Sequence, residues 1–288
     1  MNIEMMIKAI ILDVDGVLVG EKIGFNSPWP NQEVIERLKK IRKSGIHISL
    51  CTGKPDYSID KIIRDANLDG IHITQTGTVV IDSFNGEVVK KHVIENKLAR
   101  EIIELFTKNN FYTEVYTVDK YYVQENQISE TTRLHSHVLQ REPEVVTSLV
   151  NLATELEIVR VMPITENEKD KKKVEELYKP YKDRLALSWG IHPIANPRRF
   201  GAITIKDATK REGAMAISKS LGIALENFLG VGDNIMDWDF LELCGFGAAM
   251  GNATEELKRY VMGKGDQGYV GKSVDENGII GIFDHFGF

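Results

Sequence analysis

Asp13 and Asp15 stand two positions apart directly behind the apolar run Ile7–Leu12, so a stretch of strand length ends on a pair of carboxylates. In an open parallel sheet, the residues just past the strand ends point into one crevice. Reading the same positions elsewhere adds Thr52 and Gly53 behind "IHISL", Asp233 and Asp237 behind "NFLGVG", and Lys210 at the start of a helical stretch. Acids gathered in one crevice repel each other unless a proton or a cation intervenes. Mg²⁺ takes a few carboxylate or carbonyl oxygens and fills its remaining positions with water and phosphate oxygens; Asp13, Asp233 and a main-chain carbonyl near Asp15 are the expected ligands. Thr52 offers a hydroxyl donor and Lys210 a point charge, which together make a place for a phosphoryl group. Asp13, nearest the strand end, is the expected nucleophile, and Asp15 the group that protonates the leaving alkoxide and then takes a proton from water.

The elements that must position these groups follow from hydrophobic patterning. The continuous apolar run before Asp13 suits a strand covered on both faces. "NQEVIERLKKIRKSG" reads as a helix with Val34, Ile35, Leu38 and Ile41 on one face and Gly45 as its stop. "IHISLCTGK" is a second strand, "PDYSIDKIIRDANL" a helix opened by Pro55, and "GIHITQTG" a third strand. This alternation predicts an α/β fold, a doubly wound parallel sheet. After Gly77 the pattern changes. A hairpin turns at Asn85-Gly86, and "ENKLAREIIELFTKNN" and "EPEVVTSLVNLATEL" read as helices around paired strands in "FYTEVYTVDKYYVQEN". "EIVRVMPIT" is a strand and Lys169–Lys179 a charged helix, with "KDKKK" on its solvated face. Beyond the two prolines of "IHPIANPRRF", read as a linker, strands and helices alternate again. The expected organisation is a core domain over 1–82 and 191–288 with an α+β domain, 83–190, inserted into it.

Composition narrows the function class. The 288 residues are 42% hydrophobic and 27% charged, the balance of a folded globular chain. A net charge of -6 gives no general attraction to nucleic acid or anionic lipid, and neither is an expected partner. The aromatics Phe111, Tyr112, Tyr116, Tyr121 and Tyr122 fit strands better than a base-stacking platform, because no basic patch accompanies them. Cys51 and Cys244 are expected as buried apolar side chains, since two cysteines at this spacing form neither a disulfide framework nor a metal motif. "MNIEMMIKAI" carries no signal-peptide pattern and no stretch reaches membrane-spanning length, so a cytoplasmic location is expected.

"DVDGV", "CTG", the lysine of "TKREG" and "GDNIMD" occur in the order and rough spacing of the four motifs of the haloacid dehalogenase superfamily, which this chain resembles over nearly its whole length. The large insert is similar to the αβ cap of the Cof-type branch, whose members act mostly on small phosphorylated metabolites such as sugar phosphates. The resemblance implies a Rossmann-like core and a Mg²⁺-dependent phosphatase working through an aspartyl-phosphate, with a mobile cap closing over the substrate. It implies Asp13 as nucleophile and metal ligand, and Asp15 as acid/base with its carbonyl on the metal. Thr52, Gly53 and Lys210 would bind phosphate, and Asp233 would complete the metal site. Lys210 is preferred to its neighbour Lys206 on spacing from "GDNIMD". Asp237 matches the motif's final acid, which supports the metal waters or the lysine, or serves only as an early-helix acid.

Two positions depart from the family pattern. Val17 replaces a common threonine behind the nucleophile, and Met236 replaces an asparagine that often touches substrate; Asn234 is the expected substitute amide. Arg133, His135, His137, Arg141 and Arg160 are candidate substrate contacts in the insert, though a surface role explains them equally well. His192 is read as structural. Two other functions use the same scaffold: a phosphosugar mutase, in which a sugar outcompetes water for the phosphoenzyme, and a regulatory protein that binds a phosphometabolite with little turnover. Dehalogenation needs neither the second aspartate nor a metal.

Overall fold

The structure, a computed structural model of the chain, describes residues 7–192 and 195–288. The expected reading of the first six residues, and Pro193 and Ile194 of the expected linker, fall outside it. The chain divides into two compact units, one of residues 1–53, 59–90 and 209–288, the other of 54–58 and 91–208.

The first unit opens with β1 (Ala9–Leu12), α1 (Gln32–Lys43), β2 (His47–Leu50), α2 (Asp60–Ala66), β3 (Ile71–Thr74), β4 (Val79–Asp82) and β5 (Val88–Lys91). The second contains α3 (Asn96–Lys108), β6 (Tyr112–Tyr116), β7 (Tyr121–Gln124), α4 (Glu130–Leu139), β8 (Glu144–Val146), α5 (Leu149–Glu155), β9 (Arg160–Thr165), α6 (Glu168–Tyr178), β10 (Leu185–Gly190) and β11 (Arg199–Ile205). The first unit then resumes with α7 (Lys210–Leu221), β12 (Phe228–Gly232), α8 (Trp238–Leu241), β13 (Phe246–Ala249), α9 (Glu255–Met262), β14 (Gly268–Val270) and α10 (Gly278–Phe286).

In the first unit, five parallel strands run in the order β14-β13-β12-β1-β2. Successive side chains of a strand face opposite sides, and the core divides accordingly. Ile10 and Leu12 pack with α1, α2 and α10, while Ala9 and Ile11 pack with α7, α8 and α9. The expected buried face of α1, Val34, Ile35, Leu38 and Ile41, is the one observed, and each such side chain contributes about 1.5–3 kcal/mol by leaving water. Asn31 caps the helix by accepting from Glu33 N. Cys51 and Cys244 are buried and unpaired with each other, as expected.

The third strand differs from expectation. It stops at Thr74 and pairs antiparallel with β4, meeting the β2 side not through a full ladder but through a single Cys51–Ile73 bridge just past β2. The gap is closed by an imidazole: Leu50 N–H donates to His72 Nδ1 at 3.0 Å, and His72 Nε2 meets the Leu68 carbonyl at 2.9 Å. That pairing fixes a neutral tautomer with the proton on Nε2. Pro55 does not open α2, which begins at Asp60 after a 3-10 turn.

The second unit is a six-stranded sheet in the order β10-β11-β9-β6-β7-β8. One face packs on α3, α5 and α6 around Ile102, Phe106, Val115 and Val161. Three expectations need correction here. "EPEVVTSLVNLATEL" is not one helix: Val145 and Val146 extend as β8, and Ser148 starts α5 by capping Asn151 N. Helix α4 goes unanticipated. Residues around "IHPIANPRRF" connect β10 to β11, which pair antiparallel, so the boundary expected at 191 falls between two strands of one sheet and the chain re-enters the first unit at Thr209.

Candidate active site

Strand pairing carries Asp13 to a fixed place. The β1–β12 ladder extends one residue past β1 because Asp13 N donates to Val231 O at 3.0 Å. The strand order reverses at β1, where open α/β sheets bind ligands. Asp13 is only 8% exposed, whereas Asp15 is exposed and begins a turn closed by the Asp15–Val19 bridge. Val17 is buried in the core below that turn. Thr52, buried, donates its N–H to Ile73 O (2.9 Å) and accepts Thr76 N at its carbonyl (3.0 Å), while Gly53 is exposed. Lys210 is the first residue of α7, capped by Thr209, and Asp233 comes immediately after β12.

The charged groups of the two core halves meet. Lys210 Nζ lies 2.6 Å from Asp237 Oδ1 and 3.2 Å from Asp13 Oδ1. Asp237, 1% exposed, turns its other oxygen back to accept Asp233 N and Asn234 N, both at 3.0 Å. Asp13, Asp233 and Asp237 each present an oxygen within 4.8 Å of the others. Burial, followed by the charge of Asp237, holds the Asp13 carboxyl well above its usual range despite Lys210. Burial and then Asp237 also push Asp233 up to about 7. Lys210 is drawn down by burial, but Asp13 and Asp237 outweigh that and hold it well above an ordinary lysine.

With all three ionised, the carboxylates would carry two more negative charges than the one ammonium offsets, and burial together with that excess drives two of them toward protonation. All the donors are hard oxygens, and Asp237 is already occupied by Lys210 and two backbone N–H groups. The donor set therefore fits a hard dication such as Mg²⁺, to which Asp13 and Asp233 could each offer an oxygen.

Met236 is 51% exposed, and Asn234 uses its side-chain oxygen to cap the 3-10 turn Ile235–Asp237, accepting Met236 N at 3.1 Å. Tyr112, Tyr116, Tyr121 and Tyr122 lie on β6 and β7, as read. His135 and Arg160 are not surface residues. Both are buried, His135 on Glu114 at 2.8 Å and Arg160 over the Tyr116 ring at 3.8 Å.

Sequence reasoning missed the turn Gln75-Thr76-Gly77, read as strand, in which all three residues have positive φ. A β-branched residue at φ 64° is costly there. The turn joins two parts of the site: Thr76 N–H holds the Thr52 carbonyl, and Gly77 lies so close to α7 that a Cβ would sit 2.3 Å from Thr209 O.

Residues 10–282 match the family model of haloacid dehalogenase-like hydrolases. The chain is 23% identical over 272 residues to phosphatase YwpJ of Bacillus subtilis (strain 168), covering 87% of this chain and 92% of that one. It is 27% identical over 262 residues to pyridoxal phosphate phosphatase YbhA of Escherichia coli (strain K12), covering 88% and 91%. The solved structure of BT4131, described as a sugar phosphatase of haloacid dehalogenase subclass IIB, superposes with a TM-score of 0.77 at 26% identity over 97% of this chain and 99% of that one. With the fold, the acid cluster and a match spanning both core halves in agreement, the chain belongs to the haloacid dehalogenase-like hydrolases, in their Cof-type branch.

Proposed function

We propose that the protein is a Mg²⁺-dependent phosphatase that hydrolyses phosphomonoesters of small metabolites, sugar phosphates foremost, through an aspartyl-phosphate on Asp13. The observation that carries this reading is the ammonium of Lys210 between Asp13 and Asp237, with Asp233 inside the same 4.8 Å cluster. The phosphatase names of YwpJ, YbhA and BT4131 support hydrolysis of phosphoric monoesters, and BT4131 supports the sugar class.

Asp13 and Asp233, with the Asp15 carbonyl, would hold Mg²⁺, which when bound neutralises charge on the phosphoryl oxygens. Lys210 and the Thr52 hydroxyl would donate to those oxygens, and Gly53 would admit them close to the backbone. An Asp13 carboxylate oxygen bonds to phosphorus as the ester P–O bond breaks, and Asp15 delivers its proton to the departing alkoxide. The same Asp15, now ionised, accepts a proton from the water that releases inorganic phosphate and restores Asp13. Asp237 would hold Lys210 in place. Asn234, its oxygen committed to the turn, would offer a substrate its amide N–H pair in place of the asparagine missing at Met236; Asn234→Ala should then raise KM, and unchanged kcat and KM would exclude that role.

Turnover of p-nitrophenyl phosphate with and without Mg²⁺ tests the class, and a panel of phosphorylated sugars against pyridoxal phosphate tests the substrate. Hydrolysis that survives exhaustive chelation would overturn the reading.

A further inference from the structure

Asn252 lies in the turn after β13 and is exposed, so packing does not account for the bonds it makes. Its Nδ2 donates to Gly16 O at 3.0 Å, and its Oδ1 accepts Val274 N at 2.8 Å. Two residues on, Thr254 N–H donates to Asp233 O at 2.9 Å. One short turn thus grips both the loop after β1 and the loop after β12.

Gly16 is where the two loops touch. Its φ is +83°, and a Cβ there would fall 2.1 Å from Asp233 Oδ2, so bare backbone rests against the carboxylate. The Asp15–Val19 turn is internally closed, with Gly16 N on Val19 O (2.7 Å) and both Leu18 N and Val19 N on Val14 O (2.9 Å each). These bonds brace the turn as one piece. That piece is pegged at Gly16 O by Asn252. Its far end is tied to the carbonyl side of the same residue, Val274, through Asn26, whose Nδ2 donates to Val274 O (3.0 Å) and whose main-chain carbonyl accepts Gly20 N (3.0 Å).

We propose that Asn252 is a positioning residue for the cation site: by holding the Gly16 carbonyl from the turn that also holds Asp233, it sets the spacing between the Asp15 main chain and the Asp233 carboxylate. This rests on the reading that Asp13, Asp233 and the Asp15 carbonyl take the cation. Outer partners that orient metal ligands are typically worth about 10–100-fold in affinity.

The test is calorimetric titration of Mg²⁺ into chelator-stripped protein, with the Mg²⁺-induced rise in Tm as a second readout. Wild type should bind, Asp233→Asn should lose binding, and Asn252→Ala should bind about tenfold more weakly. Asn26→Ala releases Val274 O from the far end of the same turn and leaves Asn252 on Gly16 O; it should lower the metal-free Tm at least as much yet leave Mg²⁺ affinity within about twofold. Asn252→Asp keeps an acceptor for Val274 N and loses only the donor to Gly16, so it serves if Asn252→Ala does not fold. It should bind Mg²⁺ more weakly although its added charge alone would attract the ion. The proposal is overturned if Asn252→Ala binds like wild type, if Asn26→Ala weakens binding equally, or if Asn252→Asp binds as tightly as wild type. Absence of binding by wild type is a separate result, which removes the cation reading itself.

Discussion

Each unit buries carboxylates, and the two sets are balanced differently. In the second unit, Glu114 is fully buried and accepts from Tyr116 OH (2.5 Å), His135 Nδ1 (2.8 Å) and Tyr112 OH (3.2 Å). A carboxylate in a dry interior persists only when so supplied, and here the donors come from its own strand and from α4. In the first unit, Asp13, Asp233 and Asp237 share one lysine, and two of the acids are driven toward protonation. The difference teaches that buried charge does not by itself mark chemistry. A closed cluster holds a fold together; a cluster left short of positive charge is the better candidate for a cation site.

Substitutions can break that contrast. The largest expected effect is Asp13→Asn, which should lower kcat for p-nitrophenyl phosphate at least about a thousandfold. It should leave Tm equal or higher, because it removes one of the crowded charges; activity within tenfold of wild type would refute the assignment. Next comes Asp237→Ala, which strips Lys210 and two backbone N–H groups of an acceptor and should cost about 3 kcal/mol in urea unfolding. Glu114→Gln should cost about 1–3 kcal/mol by loosening α4 from its sheet, while Mg²⁺ affinity measured by calorimetry stays within twofold. A drop in metal affinity there would show that the second cluster is not purely structural.

A pH-dependent test concerns a third kind of buried group, the neutral imidazole that bridges β2 and β3. Burial drives His72 down from 6.5 to about 4. With its folded pKa below the unfolded one, its stabilising contribution is present above pH 6.5 and is lost as pH falls through about 4. The urea midpoint of wild type should therefore decline across that window more steeply than that of His72→Asn. Parallel declines would show that His72 does not titrate there.

Much of the site was legible because strand-end positions are local facts. Asp13 and Asp233 each stand at the end of an apolar run and Lys210 opens a helix, and the structure brings all three together. The buried stripe of α1 was readable from spacing alone. What escaped was held by partners distant in sequence or by backbone shapes that residue type disfavours. Helix α4, "ETTRLHSHVL", carries β-branched and polar residues with little apolar stripe; it is secured by the Ser129–Thr132 capping box and by His135 on Glu114. Strands β10 and β11 flank a proline-bearing connection that mimics a linker, yet every residue of β10 pairs with β11. Gln75 and Thr76 have the composition of strand but adopt positive φ, which their tertiary surroundings impose. Asn252 reads as an ordinary turn residue, and its meaning lies in the two loops it joins.

The central claim is that Asp13 becomes covalently phosphorylated, and rapid trapping tests it most directly. Protein mixed briefly with p-nitrophenyl phosphate and Mg²⁺, quenched in acid and reduced with borohydride, should yield homoserine at position 13 on peptide mapping, and Asp13→Asn should yield none. Sustained turnover with no reduced residue at that position, or with the modification on a different side chain, would contradict the account.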